Sequence, residues 1–211
     1  MSPFVRLVRR DLKRAFAQGG AWLPLVFYLL VATLFPFAIG PDAALLAKVG
    51  SGALWTAALL AALLPVERLV RPDIVSGVMD QLAVRGQSDE AVAAAKLMAH
   101  WLSFGPPLMT ATLPAAALLN LDGATSARLE IGLMLGTPGL AALGLAVAAL
   151  TASLRRAGAL IGLVMLPLAV PLLIFGASQG EGALKLLGAT SLLFVAAAPF
   201  VAGAALRAGR S

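Results

Sequence analysis

His100 is the only histidine in the sequence, and there is no cysteine. Thiolate metal ligation, disulfides and cysteine catalysis are therefore excluded. A lone histidine beside Trp101, at the start of an apolar run, is a candidate axial haem ligand. More often such a residue packs at an interface or bonds a backbone carbonyl. No G-x-x-x-x-G-K-[ST] phosphate loop, H-E-x-x-H, G-x-S-x-G or EF-hand loop occurs, so ATP is not bound through a phosphate loop of this chain. No Asp, Glu, Lys or Arg lies deep in an apolar run, and self-powered secondary transporters rely on such groups. Polar chemistry gathers instead in one segment, 67–96, which carries nine of the 26 charged residues.

Within that segment, Asp73 follows Pro72 and reads as a helix N-cap, with Gly86 as the stop. Ile74, Val75, Val78, Met79 and Leu82 fall on one face, and Asp80, Gln81 and Arg85 lie off it. A second helix starts at Ser88, whose hydroxyl can cap free N–H groups, with Asp89 and Glu90 at its positive end. It runs on through Lys96 into the next apolar run. A short amphipathic helix at 73–85 is therefore expected on the cytoplasmic side, between the second and third apolar runs. It serves either as a connector on the lipid or as a docking element for a cytoplasmic partner, and the pattern alone does not choose.

The elements that position these residues follow from composition. Of 211 residues, 60% are hydrophobic and only 12% charged, against about 25% charged in soluble domains. A soluble globular enzyme, a disordered tail and a nucleic-acid-binding module are excluded. The pI near 10.8 does not rescue the last, because the basic residues form no single stripe. Charge-free intervals at 15–41, 49–66, 97–121, 131–154, 157–180 and 186–206 run for 18 to 27 residues. A helix needs roughly 17–25 apolar residues to cross a bilayer. The fold class expected is an all-α integral membrane protein, one membrane domain over 1–211. Its six transmembrane helices lie at about 21–40, 49–66, 97–119, 131–154, 157–179 and 186–206.

Thirteen of the sixteen Lys and Arg fall on the side of the N-terminus, the 67–96 loop, Arg155–Arg156 and the C-terminus; Lys48, Arg128 and Lys185 fall opposite. That split puts both termini in the cytoplasm, in accord with an even number of spans. Residues 3–18 place Phe4, Leu7, Val8, Leu12, Ala15 and Phe16 on one side and five basic residues around the rest. This predicts an interfacial amphipathic helix that turns into the membrane at Gly19-Gly20. Ala38-x-Gly40 has the form of a signal-peptide cleavage site, but Pro41 follows it and five more spans come after, so no cleavage is expected. Prolines recur in the spans, and Gly132-x-x-x-Gly136 and Gly158-x-x-x-Gly162 permit close helix approach.

An ordered set of motifs carries a family resemblance. Leu34-Phe35-Pro36-Phe37-Ala38-Ile39-Gly40-Pro41 closes the first span, Trp55 sits in the second, and Glu67-Arg68-Leu69 follows. Asp73, Gly77 and Asp80-Gln81-Leu82 come next, then Lys96-Leu97-Met98-Ala99-His100-Trp101. Gly136-Thr137-Pro138 lies in the fourth span, and the run from Leu166 to Gly176 fills the fifth. Together these resemble the haem exporter protein B family, membrane subunits of the cytochrome c maturation transporter. The 181–186 outer loop is short for that family.

The resemblance implies an ABC-2-type permease subunit of the bacterial inner membrane. It implies no enzyme, since ATP hydrolysis belongs to a separate ATPase subunit. It implies further partners, a haem-handling membrane protein and a small single-span protein, and a homodimer within the complex. The complex uses ATP to free haem-loaded chaperone for cytochrome c biogenesis. Haem is then cargo, no cofactor is bound directly, and no haem ligand carries over onto His100. A cytoplasmic helix between spans two and three contacts the ATPase in such transporters, which makes Asp73, Gly77, Asp80, Gln81 and Arg85 the candidate coupling residues. Two rival readings share the architecture: an export permease for another cargo, and a membrane scaffold that moves nothing.

Overall fold

A computed structural model describes residues 2–17, 19–154 and 157–210. Gln18, within the expected interfacial helix, and Arg155 and Arg156, within the charge split, lie outside the described residues. The described residues form helices and no strand: α1 (Pro3–Ala17), α2 (Trp22–Ile39), α3 (Ala43–Leu63), α4 (Arg71–Val75), α5 (Val78–Val84), α6 (Asp89–Leu118), α7 (Gly123–Leu150), α8 (Ala157–Ala177) and α9 (Ala183–Ala208), with a 3-10 turn at Val66–Arg68.

Three of the long helices start where a short polar side chain can take up free backbone N–H groups. Asp42 accepts from Ala44 N and Leu45 N at 2.9 and 3.1 Å, opening α3. Ser88 accepts from Ala91 N at 3.2 Å, opening α6 as expected, and Asp122 accepts from Thr125 N at 2.7 Å, opening α7. Among the described residues, five stretches are long and apolar enough to cross a membrane: Trp22–Ile39, Ala43–Val75, Gly123–Leu150, Gly158–Ala177 and Ala183–Ala208. The expected third span, within α6, is not one of them. His100, Trp101 and Ser103 and the prolines at 106, 107 and 114 dilute its apolar character, and much of its length is packed inside the bundle.

α3, α6 and α7 form the interior, while α2 and α8 sit on the rim with large apolar side chains such as Phe37 and Leu163 turned outward. The longest seam joins α7 to α9. At Gly139 the two helices are so close that a Cβ would lie 2.9 Å from the Cα of Ser191. Gly132 and Gly136 do different work. They line a slot for the indole of Trp55, which reaches across from α3 and is fully buried. Gly176 of α8 closes the slot, and a Cβ there would lie 2.3 Å from Trp55 Cε2. The Gly158 and Gly162 pair, which permits close helix approach, seats no other helix among the described residues: Gly158 faces Glu67 Oε2, and a Cβ at Gly162 would meet nothing within 4 Å. Several buried polar groups of the core are paired across helices, Tyr28 with Thr112 at 2.9 Å and Trp101 Nε1 donating to Thr137 Oγ1 at 3.1 Å.

The segment between α3 and α6 departs from expectation. It is not one helix from 73 to 85 but two short ones, α4 and α5, hinged at Gly77. Gly77 has φ +69°, a left-handed conformation that glycine adopts without steric cost. Gly86 does end α5, also with positive φ. Asp73 is not an N-cap: it stands in the first turn of α4 behind Pro72, and the cap position is Val70.

Candidate functional site

Asp73 is buried at 2% exposure, although it belongs to the most polar segment of the chain. Its Oδ2 accepts from Lys96 Nζ at 2.5 Å and from Arg10 Nη2 at 2.6 Å, and its Oδ1 from Arg14 Nη1 at 2.6 Å. Lys96 Nζ also donates to Asp11 Oδ2 at 3.1 Å and to the Leu69 carbonyl at 3.0 Å, and Arg10 bridges to Asp11 at 2.6 Å. Arg10 and Arg14 share one side of α1 because residues four apart are neighbours on a helix. Burial pushes the Asp73 carboxyl up, but Lys96 and the two arginines outweigh it and hold it below its ordinary range. The basic block of α1 is thus bolted through one carboxylate to α4 and to α6.

A second ion-pair set ties the C-terminus to the same place. Arg207 and Arg210, at the end of α9, bond to Glu90 and Asp89 in the first turn of α6. Acids at a helix start and cations at a helix end both suit the backbone dipoles. The Arg207 guanidinium holds the Glu90 carboxyl below its usual range. Segments near residues 10, 73, 96 and 207 therefore meet at one end of the bundle. At the opposite end, Arg128 Nη2 donates to the Gly180 carbonyl at 2.7 Å.

The five candidate coupling residues are separated by the fold. Asp73 is sealed in the ion cluster and Gly77 is the hinge. Asp80 is exposed on α5. Gln81 and Arg85 line a groove facing α1. Beside them Val75 and Val84 are 79% and 90% exposed, so the outer surface of α4 and α5 is largely apolar, with Asp80 as its exposed carboxylate and Arg85 its exposed guanidinium. The sequence does not disclose the place of Asp11 in the cluster, nor the pairing of Arg10, Arg14, Arg207 and Arg210. One signal was available: Lys96 sits at the edge of an apolar run, where an ammonium needs a carboxylate partner.

His100 is buried at 3% exposure and lies against Phe104, ring centroids 4.9 Å apart. Neither ring nitrogen has a hydrogen-bond partner among the described residues. The ring lines a cavity of about 320 Å³ together with Arg14, Arg68, Lys96 and Ser103. Its Nε2 is close to α7, where a Cβ on Gly144 would sit 3.4 Å away. Iron ligation at Nε2 would need about 2.0–2.1 Å of clear approach, the usual metal–imidazole distance, and then room for the macrocycle; the helix stands in that space. Among the described residues no group of three or more His, Asp or Glu is disposed to hold a metal.

The chain matches the family described as CcmB protein over residues 2–209. It is 42% identical over 214 residues to Heme exporter protein B of Haemophilus influenzae, covering 97% of each chain. It is 43% identical over 211 residues to Heme exporter protein B of Rhodobacter capsulatus, covering 95% of this chain and 97% of the relative. Identity to the Bradyrhizobium diazoefficiens protein of the same name is 39% over 220 residues, 99% of each.

Proposed function

The chain belongs to the CcmB protein family, and on that premise we propose that it is the membrane component of the ABC transporter for cytochrome c maturation, a haem exporter subunit. It is a multi-pass protein of the bacterial inner membrane. ATP hydrolysis is assigned to a partner ATPase docked on α4 and α5. A haem-handling membrane protein, a small single-span protein and a second copy of this chain complete the complex. Haem is handled by the complex as cargo and is not ligated by His100.

Six spans with both termini cytoplasmic remain the reading, with α6 as the third. Its interior position explains how a polar, proline-rich helix can cross: it meets protein more than lipid. The ion pairs that gather residues 10, 73, 96 and 207 at one end support an even number of crossings, since α9 must return to the end where α6 begins.

The observation that carries the coupling role is the buried Asp73 cluster. A push on the exposed face of α4 and α5 moves Asp73, and Asp73 is bonded to both α1 and α6. A partner binding to the surface can thereby tilt a core helix without touching it. Gly77→Pro removes the hinge, because proline is fixed near φ −65° where the backbone needs +69°. Asp80→Lys reverses a charge on the patch. Asp80→Lys is expected to lower recovery of the ATPase subunit in co-purification by roughly tenfold, the scale of one lost interfacial charge contact, and Gly77→Pro to lower it as well by displacing α5 from α4. Wild-type recovery together with normal cytochrome assembly in both would sink the coupling assignment. His100→Ala is expected to leave the haem spectrum of the purified subunit unchanged, and a Soret band that disappears with the substitution would contradict the packing role.

A further inference from the structure

A groove of about 570 Å³ runs between α1 and α5. Arg6, Arg10 and Arg14, one turn apart along α1, line one wall, and Arg85 lines the other; no carboxylate lines it among the described residues. Arg10 and Arg14 are turned to Asp73 beneath. Arg6 and Arg85 are exposed and make no ion pair among the described residues. The floor is apolar, formed by Leu7 and Leu82. Two uncompensated guanidinium groups over an apolar floor suit a ligand with a phosphate at one end and hydrocarbon at the other.

The depth of the groove comes from a separate observation. At the corner between α1 and α2, the rings of Phe16 and Trp22 meet edge to face with centroids 6.3 Å apart, and both are exposed, at 40% and 57%. Exposed aromatic side chains of this kind settle at the membrane–water interface. α1, which leads into that corner with Phe4 and Val5 also exposed, then lies at headgroup level. We infer that the groove is a binding site for the headgroup of an anionic glycerophospholipid, its phosphate held by Arg6 and Arg85 and its glycerol end over Leu7 and Leu82. A protein partner with an acidic segment is the less fitting occupant, because the floor is apolar and α1, which forms one wall, is placed at headgroup level by its exposed apolar side chains. Such a site does not depend on the cargo of the complex. The bound lipid would bridge α1 to α5, beside the bolt that Asp73 makes from α1 to α4.

The test is equilibrium binding of dioctanoyl phosphatidylglycerol to the detergent-solubilised full chain, with dioctanoyl phosphatidylcholine and inorganic phosphate as the other two ligands. Phosphatidylglycerol is expected to bind at least about tenfold more tightly than either. Arg6→Gln with Arg85→Gln should remove roughly tenfold or more of that affinity, on the scale expected for two basic residues facing an anionic lipid. Arg9→Gln with Lys13→Gln removes the same amount of charge outside the groove and should cost clearly less than the groove pair. Equal binding of phosphatidylcholine, equal loss in the two double variants, or inorganic phosphate binding as tightly as phosphatidylglycerol would each overturn the assignment. So would a groove variant that keeps lipid affinity and loses only the ATPase subunit, since the groove would then be a protein surface.

Discussion

Gly176→Ala is expected to destabilise the bundle by about 2–3 kcal/mol, the scale of forced overpacking in a filled core. A Cβ at this position would lie 2.3 to 2.5 Å from three atoms of the Trp55 ring, and the ring has little room to retreat because Gly132 and Gly136 of α7 bound its other side. The control lies on the same helix. Gly162→Ala would add a Cβ that meets nothing within 4 Å, and should be near neutral or slightly stabilising, since alanine favours a helix over glycine by up to about 1 kcal/mol. Thermal unfolding followed by size-exclusion chromatography in detergent distinguishes the two. Trp55→Leu should be destabilising alone yet should reduce the cost of Gly176→Ala, because the smaller side chain leaves room for the methyl group. Additive losses in the double variant would show that the slot is not what Gly176 serves.

Asp73→Ala should cost about 3–5 kcal/mol, the range for removing one partner of a buried ion pair. Most of the penalty comes from Lys96, whose side chain is 5% exposed and which keeps only Asp11, at 3.1 Å, as counter-charge; Arg14 is about half in solvent and can rehydrate. Lys96→Met combined with Asp73→Ala should recover part of the loss, since an apolar side chain of similar length needs no counter-charge. The readout beyond stability is protease cleavage within α1, which should accelerate in Asp73→Ala as the helix comes off α6. The pH dependence has a definite sign. The Asp73 carboxyl is held below its ordinary range, so its contribution is fully present above the ordinary carboxylate pKa of about 3.9. It is lost as pH falls through the lower folded-state value. Acid should therefore loosen α1 in the wild type, and Asp73→Ala should abolish that acid step.

Helical class, the polar segment and several helix boundaries were legible in the sequence because they depend on local composition. Ser88 caps α6 where a hydroxyl precedes two acids, and Gly86 stops α5 where a left-handed residue is needed. The partners of charges were not legible. Asp73 reads as a helix N-cap until α1 is folded over it, and its guanidinium partners are 59 and 63 positions away. A period of 3.6 reports which face of α1 is basic, not what that face meets. The glycine pair on α7 was legible as a place of close approach. That a Trp side chain enters it depends on the register of α3 against α7, which nothing local encodes. The break at Gly77 is hidden for a further reason: the apolar positions from Ile74 to Leu82 keep a helical spacing across it, so periodicity alone runs the two short helices together.

If the exposed face of α4 and α5 is where an outside engine acts on a chain with no phosphate loop of its own, damage to its hinge should stop the whole process. The most direct measurement is covalent haem in periplasmic c-type cytochromes of a strain lacking this gene, read by haem staining and the reduced α-band. Loss of the c-type signal on deletion, recovery with the wild-type chain, and failure of Gly77→Pro to restore it at equal expression is the predicted result. Full c-type cytochrome assembly without the gene would contradict it.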